Sequence, residues 1–196
     1  MTTPSGPAGV FDRAAATYDA VGVPWFTPIA EGLVAELAPV AGERALDVGC
    51  GRGAVLAPVA RLVGPSGSAV GIDLAPEMVR RTAADLTDLA WVEVRVDDAS
   101  APSFPPGSFD LVASSLVLFF LDDPAAALRR WRELLVPGGR LGVATFGEQD
   151  PRWRKLDAVF LPFLPAALKD ARTSGTTGPF GSDAGMEALL ADAGLV

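Results

Sequence analysis

The sequence predicts an α/β domain with a doubly wound parallel sheet, because short apolar strands alternate with helical segments along most of the chain. A second observation is the glycine-rich turn from Gly49 to Gly53, which follows the first predicted strand directly. A third is the length of 196 residues, which suffices for one domain with a substantial core. We therefore treat residues 1–196 as a single domain.

The predicted elements follow one another at short, regular intervals. A first helix begins near Thr27-Pro28, because threonine is a frequent N-cap and proline is favoured at the first helical position. Apolar runs predict strands at 45–48, 69–73, 91–96, 109–115 and 140–146, and helical patterns lie at 54–63, from Pro76 to about Leu86, at 125–136 and at 183–194. The strand at 109–115 is mainly apolar, as expected where both faces are covered.

Two segments interrupt this alternation. Residues 1–9 are predicted to be a loose tail, at the start of an N-terminal cap segment that extends over 1–40. Residues 147–182 are too long for a connection that usually takes about 2–6 residues, and we predict a lid or substrate-pocket insertion. The aromatic residues of this insertion indicate either a partly apolar ligand pocket or the insertion's own core: Trp153, Phe160, Phe163 and Phe180.

Composition excludes several classes of function. The net charge of −8 disfavours a nucleic-acid partner, since an acidic surface repels phosphates. The longest apolar stretch, 111–121, is shorter than the about 20 residues that a membrane span needs. The N-terminus has no secretory signal pattern, which favours a cytoplasmic protein. The chain has no histidine and one cysteine, so histidine-dependent catalysis and intrachain disulfides are excluded.

The candidate binding residues follow the predicted strands at their carboxyl ends, where ligands bind in open α/β sheets. Glycines after Asp47 permit a sharp turn and a close ligand approach, although such a turn is equally typical of plain strand–helix packing. Asp73 ends the second strand, where a carboxylate either accepts hydrogen bonds from ribose hydroxyls or caps the next helix. The two features together favour a nucleoside ligand.

Three further residues extend this edge. Asp98 follows the third strand, where its carboxylate and the Ala99 N–H suit the edge of an adenine ring. Asp97 is the alternative, and either aspartate is also typical of a turn. Ser115 ends the fourth strand, either as a contact to the same ligand or as an ordinary small polar residue.

Five segments carry a family resemblance: ALDVGCGRGAV, VGIDLAPEMV, VDDASA, FDLVASSLVLFFLDDP and LLVPGGRLGVATF. In this order and spacing they resemble the motifs of class I S-adenosylmethionine-dependent methyltransferases, and the nearest group acts on quinones and secondary metabolites. The resemblance covers residues 10–195. It implies a Rossmann-like fold, S-adenosylmethionine as the cofactor and a small-molecule acceptor.

The resemblance also implies a set of cofactor-site residues. They are Asp47, Gly49, Gly51, Asp73, Asp98, Ala99 and Ser115, with Leu74 and Met78 packing on the adenine. Residues 11–19 resemble the segment that closes over the cofactor in this group, with Tyr18 nearest to it.

A methyl group on a sulfonium is already activated, so the enzyme mainly has to align the acceptor for in-line displacement and exclude water. Many relatives carry histidines where this chain has Phe119-Phe120. We assign no catalytic base or metal. If the acceptor is a phenol or an amine, however, a general base would still have to remove its proton. The candidates for that role are Tyr18, Asp19, Glu148, Asp150 and Asp157.

Two other functions compete with methyl transfer. One is a non-catalytic S-adenosylmethionine-binding or assembly module, which the missing base favours. The other is a nicotinamide-dependent oxidoreductase, which is disfavoured because Gly53 comes one residue early for the G-x-G-x-x-G pattern.

The sheet of this family usually has seven strands, and this sequence predicts five before it stops at Leu195-Val196. An apolar fifth strand would then have an exposed edge, which promotes pairing with another chain. We expect either a truncated chain or a homo-oligomer that covers this edge.

Overall fold

The computed structural model describes residues 6–18, 26–148, 150–164 and 177–195. The helices are α1 (Gly6–Ala14), α2 (Phe26–Leu37), α3 (Leu56–Val63), α4 (Pro76–Asp85), α5 (Pro124–Glu133), α6 (Pro151–Phe160) and α7 (Asp183–Asp192). The strands are β1 (Arg44–Val48), β2 (Ser68–Asp73), β3 (Val92–Val96), β4 (Phe109–Ser115) and β5 (Leu135–Ala144). Short 3-10 turns occupy Leu118–Phe120, Leu161–Phe163 and Gly178–Gly181.

The five strands form one parallel sheet in the order β3-β2-β1-β4-β5, which confirms the predicted fold class. The strand order reverses beside β1, because β2 lies on one side of it and β4 on the other. Helices that follow β1 and β4 therefore leave the sheet on opposite faces, and a crevice opens between them at the carboxyl ends. The candidate binding residues lie at that edge.

Each face of the sheet has its own buried core. On one face, Ala45 and Leu111 of the strands pack with apolar side chains of α2 and α3. On the other face, Leu46 and Val112 pack with α5, including Trp131, which is fully buried. Neighbouring strand residues therefore point to opposite faces, as the period of two requires. This two-sided burial fixes the register of the central strands.

Several boundaries differ from the sequence prediction. The prediction of a loose tail over residues 1–9 is wrong for residues 6–9, because α1 begins at Gly6. This helix packs against α4, which is distant in sequence, so a local pattern does not reveal it. The predicted helix at 125–136 is too long, since α5 ends at Glu133 and β5 begins at Leu135.

The early start of β5 results from pairing with β4. Leu135 pairs with Phe109, and the next paired residue, Arg140, lies opposite Leu111. The residues between them, including Pro137 and Gly138, form a bulge that disrupts the ladder locally. The strand also ends at Ala144, two residues before the predicted end.

No helix among the described residues is long and apolar enough to cross a membrane. The described residues of the predicted insertion include helix α6 and the 3-10 turns at Leu161–Phe163 and Gly178–Gly181. Residues 165–176, between these two turns, lie outside the described part of the chain.

Candidate functional site

The glycine turn joins the end of β1 to the end of β2. The N–H groups of Gly49 and Cys50 both donate to the Ile72 carbonyl oxygen, at 2.8 and 2.9 Å. Gly49 has a φ of +73°, and a Cβ at this position would lie 2.3 Å from Val117 Cγ2. Glycine is therefore required here both by conformation and by the close approach of the turn that follows β4.

Gly51 differs from Gly49 because the space around it is open. Its φ of +50° favours glycine, yet a Cβ would meet no atom within 4 Å. Its N–H donates to Asp73 Oδ2 at 2.9 Å, and its carbonyl oxygen accepts from the Thr82 hydroxyl at 2.7 Å. The turn is thus held from two sides while one side stays accessible.

Asp73 lies beside this turn, as the sequence predicted. Its Oδ1 accepts from the Ala75 N–H at 2.8 Å, while Oδ2 accepts from Gly51. Burial raises the pKa of Asp73, and the N–H groups of Ala75 and Gly51 partly offset the rise. Each carboxylate oxygen can accept a second hydrogen bond, so the group can still bind a pair of hydroxyls.

Asp47 is the most deeply buried carboxyl group at this edge, with 3% of its surface exposed. Burial raises its pKa to about 7, the Leu56 N–H opposes this, and the nearby Asp73 adds to it. Oδ2 of Asp47 has no hydrogen-bond partner among the described residues. A buried acceptor without a partner costs free energy unless it is protonated or meets a donor.

Cys50, three residues after Asp47, lies in the same turn. Its thiol is buried, and burial raises its pKa well above the usual value, with further contributions from Asp47 and Asp73. A thiol in this environment is protonated and unreactive. Cys50 therefore acts as a packing residue of the turn.

The structure separates the roles of the two aspartates after β3. Asp97 accepts from the N–H and hydroxyl of Ser103, and Arg95 donates to it as well. Burial raises the pKa of Asp97, but the hydrogen bonds outweigh burial and hold it below its usual value. Asp98 is exposed and accepts only local bonds, from the N–H and hydroxyl of Ser100. Asp97 therefore builds the turn, whereas Asp98 is accessible.

The buried indole of Trp131 holds the backbone of Ala99 in place. Trp131 Nε1 donates to the Ala99 carbonyl oxygen at 2.7 Å. This bond holds the loop after β3 against α5, a role that the sequence did not predict. The Ala99 N–H therefore lies in a loop whose position is set by this hydrogen bond.

At the end of β4, two adjacent serines differ in environment. Ser114 is buried and its hydroxyl donates to the Val48 carbonyl oxygen at 2.9 Å. Ser115 is half-buried at the carboxyl end, and Leu116 follows with a φ of +59°. A leucine in this region is strained, and such residues cluster at functional sites.

The N-terminal segment covers part of the same edge. Met78 is buried and packs with Ala15 and Ala75, with Phe11 and Tyr18 against this cluster. The structure therefore brings Tyr18 and Met78 together, whereas Leu74 is 52% exposed. The Tyr18 ring stacks on Phe26, with centroids 4.6 Å apart.

A set of phenyl rings, here called the aromatic wall, follows the ends of β4 and β5. Its ring contacts run from Phe11 to Phe120, from there to Phe119, and from Phe119 to both Phe146 and Phe180, with centroids 4.6–6.1 Å apart. These contacts join segments far apart in sequence. The sequence predicted an aromatic role only for Phe180 and missed the others.

The remaining insertion aromatics do not form a core in the described part of the chain. Trp153, Phe160 and Phe163 are 48%, 57% and 83% exposed. In the described part of the chain, these three residues therefore do not form a core of the insertion.

The structure describes the surroundings of some of the candidate bases. Asp150 pairs with Arg152, whose hydrogen bond lowers the Asp150 pKa. Glu148 is exposed, Asp19 lies outside the described residues, and so does the side chain of Asp157. Within the described ranges, no group of three ligating side chains is arranged to hold a metal ion.

Similarity to known proteins identifies the family. A methyltransferase domain family matches residues 46–143, which is half of the chain. Aklanonic acid methyltransferase DauC from Streptomyces sp. (strain C5) is 42% identical over 160 residues, or 81% of this chain and 73% of that protein. The chain belongs to the methyltransferase domain family.

Other relatives agree with this assignment. Nocamycin O-methyltransferase from Saccharothrix syringae is 49% identical over 136 residues, or 68% of this chain. The chain spans about half the length of that protein (49%). For the fold alone, a solved methyltransferase structure from Aquifex aeolicus has a TM-score of 0.67 at 20% identity, covering 92% of this chain and 87% of that one.

The fold alone does not fix the reaction. The [4+2]-cyclase SpnF has a TM-score of 0.65 at 22% identity, covering 76% of this chain and 64% of that one. One fold thus occurs in proteins with different named activities, and the residues of the site must decide between them.

The buried Asp47 should make folding stability fall as pH rises. Its pKa of about 7 exceeds the unfolded value of 3.8, so the folded state binds the proton more tightly and this stabilisation is lost as pH rises towards 7. Between pH 5 and pH 8, the wild type should lose about 3 kcal/mol more of its free energy of unfolding than Asp47→Asn.

Urea unfolding at several pH values measures this difference. Asp110→Asn is the control, because Arg44 lowers the Asp110 pKa and its effect should be confined to acid pH. The prediction would be contradicted if the free energy of unfolding changed equally with pH in the wild type and in Asp47→Asn between pH 5 and 8.

Proposed function

We propose that this chain is the catalytic domain of an S-adenosylmethionine-dependent methyltransferase that methylates a small molecule by in-line displacement. The observation that carries the proposal is the hydrogen bond from Gly51 N–H to Asp73, which joins the glycine turn to an acidic residue at the carboxyl edge. An accessible turn beside a hydroxyl-binding carboxylate suits an adenosine with a charged tail. The similarity to two named methyltransferases favours catalysis over a non-catalytic assembly module.

The adenosine half of the cofactor would lie along the ends of β2 and β3. Asp73 would accept from the two ribose hydroxyls, since each of its oxygens keeps one acceptor site. Asp98 and the Ala99 N–H would bind the edge of the adenine. Leu74 and Met78 would pack on its faces, although Met78 is 1% exposed beneath Ala15 and Ala75, so it would reach the ligand only if the N-terminal segment shifted.

The amino-acid half would lie over the glycine turn. Open space at Gly51 allows the ligand to approach the backbone, with Gly49 shaping the turn beneath it. Asp47 offers a carboxyl oxygen without a partner near this point, which suits a cationic group. Ser115 and Tyr18 would complete the site from β4 and from the N-terminal segment.

The acceptor would be a planar, largely apolar molecule. Of the aromatic wall, Phe120 and Phe146 are accessible beyond β4 and β5, whereas Phe119 and Phe180 are buried behind them, and ring faces stack favourably on aromatic ligands. Nocamycin and aklanonic acid, named in the two relatives, are small molecules. Orientation of the acceptor against the sulfonium methyl is the main work of such a site, and no residue is assigned as a base.

Calorimetric titration with S-adenosylmethionine and S-adenosylhomocysteine tests the cofactor site. Asp73→Asn should weaken both ligands by roughly 10–100-fold, because hydrogen bonds to a charged acceptor contribute about 1.5–3 kcal/mol. Asp110→Asn is the matched control, since Asp110 also accepts a backbone N–H, from Arg44, at the opposite edge of the sheet. A folded wild type that binds neither ligand would refute the proposed function.

The aromatic wall should control acceptor binding without affecting the cofactor. Phe146 is 41% exposed and contacts only Phe119 among the ring pairs of the described residues, so Phe146→Ala removes a lining ring with little core damage. We expect about a 3–10-fold higher KM for the best substrate from a panel of hydroxylated aromatic acids. The Kd of S-adenosylhomocysteine should not change.

Phe163→Ala is the control for that experiment, because Phe163 is the most exposed of the large apolar residues at 83%. Product formation is followed by mass spectrometry. An equal rise in KM for both variants would show that the wall does not line the acceptor site.

A second copy of the chain would cover the outer edge of β5. In the described residues β5 pairs only with β4, so its other edge offers backbone groups for strand addition. Light scattering over a range of concentrations tests this proposal: a dimer mass that falls on dilution supports it, and a constant monomer mass refutes it.

A cytoplasmic location stays a prediction from the sequence.

A further inference from the structure

Helix α4 is capped by a residue from another part of the chain. Its own N-cap residue, Ala75, has no side-chain acceptor for the first free N–H groups. Instead, the Glu77 N–H donates to Asp12 Oδ1 at 2.8 Å. Asp12 belongs to α1, so one hydrogen bond of the α4 N-terminus depends on α1 being in place.

Arg52 provides a second polar connection to the N-terminal segment. This residue lies in the glycine turn, and its Nη1 donates to the Ala15 carbonyl oxygen at 2.8 Å. Its Nη2 forms an ion pair with Asp85 at the end of α4. One largely buried guanidinium, 17% exposed, thus links the glycine turn, α4 and the residue after α1.

Apolar contacts complete the attachment. Ala15 has no exposed surface and packs with Ala75 and Met78, which follow β2. On the other side, the Phe11 ring meets the edge of Phe120, which follows β4, with centroids 5.5 Å apart. Residues 6–18 therefore contact the segments after β1, β2 and β4, which surround the proposed cofactor site.

We propose that Asp12 and Arg52 are positioning residues that fasten residues 6–18 across the cofactor site and so set the rate at which S-adenosylhomocysteine leaves. The inference rests on the proposed function. The cofactor exchanges when the segment lifts, and lifting breaks the Asp12–Glu77 and Arg52–Ala15 hydrogen bonds together. Weakening either bond raises the open fraction and with it the dissociation rate.

The test compares three variants of the full chain by stopped-flow dissociation of S-adenosylhomocysteine. Asp12→Ala should accelerate dissociation about fivefold, the factor that corresponds to one N-cap bond of about 1 kcal/mol. Asp12→Asn keeps an acceptor oxygen for the Glu77 N–H and should stay within about twofold of the wild type.

Asp123→Ala separates this effect from a general loss of stability. Asp123 caps α5 by accepting from the Ala126 N–H at 2.8 Å, the same distance and chemistry as the Asp12 cap. Its loss should lower the Tm to a similar extent and leave the dissociation rate unchanged. Equal dissociation rates in the wild type, Asp12→Ala and Asp123→Ala would overturn the proposal.

Trypsin cleavage after Arg13 gives a second readout that does not depend on equal Tm values. Arg13 is exposed on α1, so cleavage reports how often the segment lifts. S-adenosylhomocysteine should protect this bond in the wild type, and Arg52→Ala should abolish most of the protection. Binding without protection in the wild type would overturn the fastening role alone, whereas absence of binding would overturn the proposed function as well.

Discussion

The parallel pairing of β1 with β2 is the constraint on which the site depends. Val48 lies opposite Ile72, so the residues that follow them, Gly49 and Asp73, emerge side by side. The Ile72 carbonyl oxygen then accepts two N–H groups of the glycine turn, and Asp73 accepts a third, from Gly51. A shift of one residue in this register would turn Asp73 towards the opposite face of the sheet and separate the two halves of the site.

The electrostatics of the site follow from that closeness. Two carboxyl groups, Asp47 and Asp73, share a buried edge, and burial raises the pKa of both. Asp73 accepts backbone N–H groups on both oxygens, whereas Asp47 has the Leu56 N–H and one oxygen without a partner among the described residues, so negative charge is more stable at Asp73 than at Asp47. A cationic ligand changes this balance, because a positive charge near Asp47 favours its ionised form. In the free protein the unpaired Asp47 oxygen is costly unless the carboxyl group is protonated, and the sulfonium or ammonium group of the proposed ligand would relieve the same cost.

Local patterns predicted the carboxyl ends of β1 to β4, because each of these strands carries its own apolar run and its own terminal residue. The fold class, the Gly51–Asp73 edge and the position of Ser115 could therefore be predicted. Contacts between distant segments could not: α1 depends on α4, and the start of β5 at Leu135 depends on Phe109. The aromatic wall belongs to the same class, since its rings come from four separate stretches and none has a periodic signal. The choice between Asp97 and Asp98 also required the structure, since only the Ser103 and Arg95 contacts distinguish them.

The environment of Cys50 has a consequence for the chemistry of the whole chain in a cell. It is the one cysteine in the sequence, and its sulfur lies where a Cβ on Gly71 would come within 3.0 Å. Oxidants and electrophiles attack the thiolate, which burial suppresses here. Damage to this thiol therefore requires the glycine turn to open first. A ligand seated on that turn, as proposed above, would slow such opening and so would protect the thiol from oxidation.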